Sequence, residues 1–190
     1  MLATTIAFAV GISTLLFLAA GYRKGSSDQQ VVRREPSSRI GIALQAVAFA
    51  AVFGLRSRSG LFEGWGALRG ALPWIALALG AASWTLLLTA QRTLGRQWSV
   101  GARLVEGHRL VTDGPYSLVR HPIYLGLFLL LVAAGLAETT PLVLGPAVVL
   151  FLIGFFVRIR AEERLLRTAF GSEWEAYRRR VPAIVPFPRR

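Results

Sequence analysis

No cysteine occurs in the chain, so disulfides, thiolate metal sites, iron–sulfur clusters and a cysteine nucleophile are all excluded. Histidine occurs only at His108 and His121, too few ligands for a metal centre, and no metal is expected. Lys24 is the single lysine; the other 21 basic residues are arginine, a bias that reads as the coding preference of a high-GC bacterium. Acidic residues are scarce, ten against 22 basic ones, which leaves a net charge of +12. In a soluble chain such a charge would suggest nucleic acid as a partner. Here the basic residues fall between apolar runs, so membrane topology explains them and no nucleic-acid partner is expected. Strand-like alternation and internal repeats are also missing.

What the chain has instead is apolar sequence: 54% hydrophobic residues and a mean hydropathy of +0.51, gathered into runs. That pattern indicates an integral membrane protein. Five segments, near 2–20, 40–55, 72–90, 122–137 and 141–157, predict an all-α, polytopic fold with about five transmembrane helices. The second and fourth fall short of the roughly 20 residues a bilayer core requires; flanking residues, tilt or local thinning would make up the difference. Met1–Ala20 has no basic residue ahead of it, and Arg23 and Lys24 follow it, so it reads as a retained span rather than a cleaved signal. Alternating the segments across the membrane puts 19 basic residues on one side and only Arg56, Arg58 and Arg69 on the other. The positive-inside rule then places the N-terminus outside and the C-terminus in the cytoplasm, within the cytoplasmic membrane.

The chain reads as one domain over 1–190: three helices in 1–90, then a loop, a helical hairpin and a tail in 91–190. The hairpin turns through Glu138-Thr139-Thr140-Pro141 and is expected to be tight, bringing the start of its first helix and the end of its second to one interface. Past Val157 the helix should run on into the cytoplasm until Gly171, a plausible stop. A short amphipathic helix, Ser172–Arg180, should follow with Ser172 as its cap, ended by Pro182, Pro186 and Pro188. Arg178-Arg179-Arg180 suits contact with anionic lipid.

Two polar clusters flank the hairpin. In the first, His108–Gly126, Arg120-His121-Pro122 stands at a helix entrance. Proline is favoured there, and the free N–H groups and helix dipole attract anions. Arg120 adds positive charge, so a carboxylate or phosphate would be well placed there. The competing reading, favoured when the dipeptide is taken alone, is that Arg120 snorkels to lipid headgroups and His121 caps the helix. Tyr116 follows a Gly-Pro turn and could stack on a flat ring or anchor at the interface. Tyr124 lies three residues after His121 and shares its helix face. In the second cluster, Arg158 and Glu162 are spaced i,i+4 on one face, either as a surface ion pair or as a site for a ligand carrying both charge signs. Glu163 points about 100° away, as a solvated neighbour.

Taken together, LVTDGPYSLVRHPIYLG, the R-x-x-x-E-E of Arg158 to Glu163, and FGSEWEAYRRRVPAIVPF resemble the isoprenylcysteine carboxyl methyltransferase family, part of a wider group that includes phospholipid N-methyltransferases. The resemblance covers roughly residues 91–188 and weakens over 91–103, so it gives no role to Gln97 or Trp98. It implies an enzyme that uses S-adenosylmethionine and releases S-adenosylhomocysteine. Carried over by position, the cofactor pocket would include His108, Arg109, Leu110, Val111, Tyr116, His121, Pro122, Ile123 and Tyr124. Glu162 would contact the cofactor at its ammonium, and Arg158 would orient the carboxylate of an isoprenylcysteine-like acid. The expected partners are a lipophilic or lipidated acceptor and membrane lipids. A phospholipid or other lipid amine is the alternative acceptor, and a non-catalytic lipid-binding or scaffold protein the alternative to an enzyme.

Overall fold

A computed structural model describes residues 31–55 and 63–184. The first apolar run, 2–20, lies outside them, as do Arg23, Lys24, Arg56, Arg58, Pro186 and Pro188. Four helices account for the remaining apolar segments: α1, Ser38–Gly54; α2, Leu72–Leu94; α3, Pro122–Glu138; and α4, Pro141–Arg180. Prolines stand in the first turns of α2, α3 and α4, where a missing N–H costs nothing. Helices α2 and α4 are long and apolar enough to cross a membrane; α1 and α3 are apolar but have 17 residues each.

The long α4 is two helices in sequence. At Gly171 the backbone turns to φ 46°, ψ −114°, a conformation that glycine adopts without a Cβ clash. The segment 172–180 therefore leaves at a new angle and ends at Val181. Trp174 and Tyr177 in this segment are buried together with Val181, and Leu110, Leu166 and Phe170 pack around them.

Two features depart from the sequence reading. The fold is not purely helical. Strand β1, Val31–Arg34, pairs antiparallel with β2, Arg103–Val105, through Val31↔Val105, Arg33↔Leu104 and Arg34↔Arg103, with an irregularity between Val31 and Arg33. With four and three residues, these strands are too short to show alternation. The second departure concerns the hairpin. Helices α3 and α4 are joined through Thr139 and Thr140, but α3 packs mainly along α2, and α4 mainly along α1. The partners are set by small residues. A Cβ on Gly41 of α1 would lie 2.5 Å from the Gly154 carbonyl of α4, and one on Gly154 would lie 2.7 Å from the Gly41 carbonyl. Close backbone approach of this kind is how helices associate in lipid.

At the far end of the bundle the Thr139 hydroxyl donates to the Leu55 carbonyl, and the Trp65 indole donates to the Thr139 carbonyl. The opposite end, where α2 finishes and α3 begins, is left with a cleft.

Candidate active site

The cleft lies between the loop 97–104, the first turns of α3 and residues 158–166 of α4. It encloses about 830 Å³ of space between its lining atoms, part of it continuous with open solvent. Trp98, Tyr116 and Tyr124 form aromatic walls, and Arg158, Glu162, His108 and His121 supply the polar groups.

Arg158 is 6% exposed. Rather than pairing with Glu162, its guanidinium donates to Gln45 Oε1 of α1 at 2.7 Å and to the Val100 carbonyl, and it lies 4.6 Å from the centre of the Tyr124 ring. The i,i+4 spacing brings Arg158 and Glu162 to the same cleft, but the stem of Arg158 crosses toward α1, where Gly41 leaves room for it. Its Nε has no partner. A cation over an aromatic face keeps part of its stabilisation while it stays able to donate.

Glu162 and Glu163 divide between two tasks. Glu162 faces the cleft with about a third of its side chain exposed and lies 3.7 Å from His121 Nδ1. Glu163, expected from sequence to be a solvated neighbour, instead accepts from Arg120 Nη2 at 2.8 Å and Nε at 3.2 Å, and lies 3.2 Å from His121 Nε2. Arg120 also donates to the carbonyls of Arg178 and Val181, and sits 5.7 Å from the centre of the Trp174 ring. The backbone N–H groups of Arg120 and His121 donate to Pro182 and Ala183, and the Tyr177 hydroxyl donates to the Tyr116 carbonyl. Arg120 thus borders the cleft, but its guanidinium is engaged by Glu163 and by two backbone carbonyls. It clamps the C-terminal segment against the start of α3. His121 occupies the cap position of α3 without a side-chain capping bond.

This arrangement sets the protonation of the loop groups. Burial opposes charge on His121, but the carboxylates at its two nitrogens outweigh burial and raise its pKa from 6.5. His108 shifts the other way: burial lowers its pKa, against the pull of the Glu162 charge, and its Nδ1 is buried without a partner. Burial also raises the Tyr116 phenol well above 10, so Tyr116 stays neutral.

Of the residues singled out from sequence, His108, Tyr116, Arg120, His121, Pro122, Ile123, Tyr124, Arg158 and Glu162 line the cleft. Arg109, Leu110 and Val111 do not. Arg109 is exposed and donates its backbone N–H to the Gln97 side chain; Leu110 packs on the Trp174 cluster; Val111 is half-buried. Gln97 and Trp98, given no role from sequence, are part of the lining. Gln45, which supports Arg158 from behind, had one signal available: a lone amide in an apolar helix, one turn after a glycine.

An apolar helical bundle with opposite charges and aromatic walls at one open end defines a class: a small helical membrane protein with a cleft at one end of its bundle. Comparison with known proteins narrows the class. Residues 74–168 match the isoprenylcysteine carboxyl methyltransferase (ICMT) family, and the chain belongs to that family. It is 37% identical over 102 residues to protein-S-isoprenylcysteine O-methyltransferase B of Arabidopsis thaliana, covering 52% of this chain and 51% of the relative. It is 38% identical over 93 residues to protein-S-isoprenylcysteine O-methyltransferase of Schizosaccharomyces pombe, covering 46% and 37%. The nickel-cobalt-cadmium resistance protein NccN of Alcaligenes xylosoxydans xylosoxydans is 37% identical over 117 residues, covering 60% and 52%. The chain thus spans about half the length of these relatives or less.

Proposed function

We propose that the chain is an S-adenosylmethionine-dependent methyltransferase that esterifies the carboxylate of a lipophilic, isoprenylcysteine-like acid. The observation that carries this reading is the placement of Arg158 and Glu162 in one aromatic-walled cleft at the end of an apolar bundle. The residues suit the cofactor. Glu162, a partly exposed carboxylate, would take its ammonium, and Tyr116 and Trp98 would flank its ring system. The buried His108 Nδ1 offers a further polar contact. When bound, S-adenosylmethionine supplies an electrophilic methyl group on a sulfonium.

The protein's own work is positioning and exclusion of water. Arg158, held by Gln45, Val100 and Tyr124, would orient the acceptor's carboxylate with the donors it has left. That carboxylate is ionised at neutral pH and needs no general base. Arg158 would also limit repulsion between the acceptor's charge and Glu162. The excess of basic residues flanking the apolar runs on this side supports a cytoplasmic placement of the cleft, with the acceptor's hydrocarbon entering from the bilayer.

The test uses purified protein in detergent with methyl-labelled S-adenosylmethionine and, in separate tubes, a small prenylcysteine acid and a membrane-lipid extract. Label released by base as methanol from the first tube is the expected result. Base-stable label in the lipid tube would replace the carboxyl acceptor by a lipid amine or similar group. Arg158→Ala should cut kcat/KM for the acid by about 100-fold or more, in line with removing an oriented ionic contact, while S-adenosylhomocysteine still binds. Collapse of that binding would sink the role given to Arg158.

A further inference from the structure

The buried stripe of α1 runs Ser38, Gly41, Gln45, Ala48 and Val52, three or four residues apart, so the helix turns one face inward. Packing alone does not account for Gln45 in that stripe. The side chain is 4% exposed, its Oε1 accepts from Arg158 Nη1, and its Nε2 has no partner. The orientation of the amide follows from chemistry, because a guanidinium can only donate and the amide oxygen must face it. A buried amide with an unmet donor is a poor filler; a methionine would occupy similar space with no polar group to satisfy. One turn earlier, Gly41 makes way for the same arginine: a Cβ there would lie 2.5 Å from Arg158 Cγ and 3.3 Å from Cδ. Val100 and Tyr124 complete the cradle, and Arg158 Nε is left free. The start of α1 is tied to the same loop, with Ala102 donating its N–H to Ser38 Oγ.

We propose that Gln45, helped by Gly41, is a positioning residue for Arg158: it fixes the guanidinium so that the remaining N–H donors meet the oxyanion of the acceptor. The inference rests on the reading of Arg158 as the acceptor's guide. It concerns a helix that precedes the stretch matched to the family, residues 74–168. A residue in this place governs the preference for a carboxylate acceptor. It leaves the cofactor end of the cleft, at Glu162 and His108, unchanged.

The full-length protein in detergent, saturated with S-adenosylhomocysteine, is titrated with N-acetyl-S-farnesylcysteine and with its methyl ester. The wild type is expected to bind the acid about tenfold more tightly than the ester, the scale of one charge-assisted contact. Gln45→Met should lose most of that preference, roughly fivefold or more, with S-adenosylhomocysteine affinity kept within about twofold. Gln45→Asn keeps an amide one methylene short, should retain part of the preference, and is read alone if the methionine variant does not fold. The inference is overturned if Gln45→Met keeps the full preference for the acid. It is equally overturned if both variants lose acid, ester and S-adenosylhomocysteine together, because the amide then serves only the fold. A wild type that binds acid and ester equally removes the role of Arg158, and this inference falls with it.

Discussion

In the α2–α3 pair, Gly126 lets the helices approach until Ser83 Oγ donates to the Gly126 carbonyl at 2.7 Å. In the α1–α4 pair, Gly41 and Gly154 do the same, and each would press a Cβ into the other's carbonyl. The two crossings differ in what stands opposite the glycine. A Cβ on Gly126 would meet Leu87 Cδ2 and Cγ at 2.8 Å, the end of a side chain that can rotate, with the Ser83 carbonyl farther off at 3.5 Å. Across α1–α4 the obstacle is backbone, which cannot move unless the helices part. Only that second crossing delivers a charged side chain, Arg158, into the cleft. One packing device thus serves cohesion in the first pair and the placement of a cation in the second.

The sharpest way to break this comparison is to add one methyl group to each crossing. Gly41→Ala should cost about 3 kcal/mol, the upper end for overpacking, because the new carbon meets both a backbone oxygen and the arginine stem. Methyl transfer should fall by about 100-fold, as a displacement of roughly 1 Å at a reacting group does. Gly126→Ala should cost about 1 kcal/mol and leave the rate within about threefold, since Leu87 can yield. Denaturation in detergent and initial-rate assays on both variants decide the matter. Equal losses at the two sites would remove the distinction.

A smaller difference concerns pH. The charge at the α1–α4 crossing belongs to Arg158. At the start of α3 the group that responds to pH is His121. It is faced by Glu162 and Glu163 from α4, with Arg120 beside it in the chain and the Tyr124 ring stacked 5.6 Å away. Its folded pKa is raised above the ordinary 6.5. The stability contributed by the charged imidazole is therefore fully present below about pH 6.5 and is lost as pH rises through the raised value. The wild type should lose stability across that alkaline window, and His121→Gln should flatten the profile. Gln45→Met should leave it unchanged. A profile as steep in His121→Gln as in the wild type would assign the titration to another group.

The legible parts of the molecule are those with local signals. Apolar runs gave away the positions of four described helices, and Gly171 gave away the break in α4, because a run length and a left-handed glycine are properties of neighbouring residues. The cleft residues around Arg120-His121-Pro122 were visible as polar groups at a helix entrance. What escaped depends on contacts between distant segments. Strands β1 and β2 lie about 70 residues apart and are too short to alternate. The task of Glu163 is set by Arg120, 43 residues earlier, and by a tail that doubles back over the start of α3. The support of Arg158 by Gln45 joins residues 113 apart. Spacing within a helix placed Arg158 and Glu162 on one face and left open an ion pair or a site for both charge signs. It could not show that the arginine's length lets it cross to a neighbouring helix that offers an acceptor.

The finest test of the comparison is Ser83→Ala. The serine hydroxyl is the polar element of the α2–α3 crossing, as Gln45 is of α1–α4, and both side chains are fully or almost fully buried. The acceptor of Ser83 is a carbonyl inside α3, where helical pairing already satisfies it, so removing the hydroxyl orphans nothing. The expected loss is about 0.6 kcal/mol, the average for a hydrogen bond between membrane helices, with no change in acceptor preference. Gln45, by contrast, takes a bond from a buried cation whose direction matters to the cleft, so its removal should register in acid-over-ester binding more than in stability. If Ser83→Ala also shifted that preference, the α2–α3 pair would have to be counted among the elements that position Arg158, through Tyr124 on α3 as the nearest physical link.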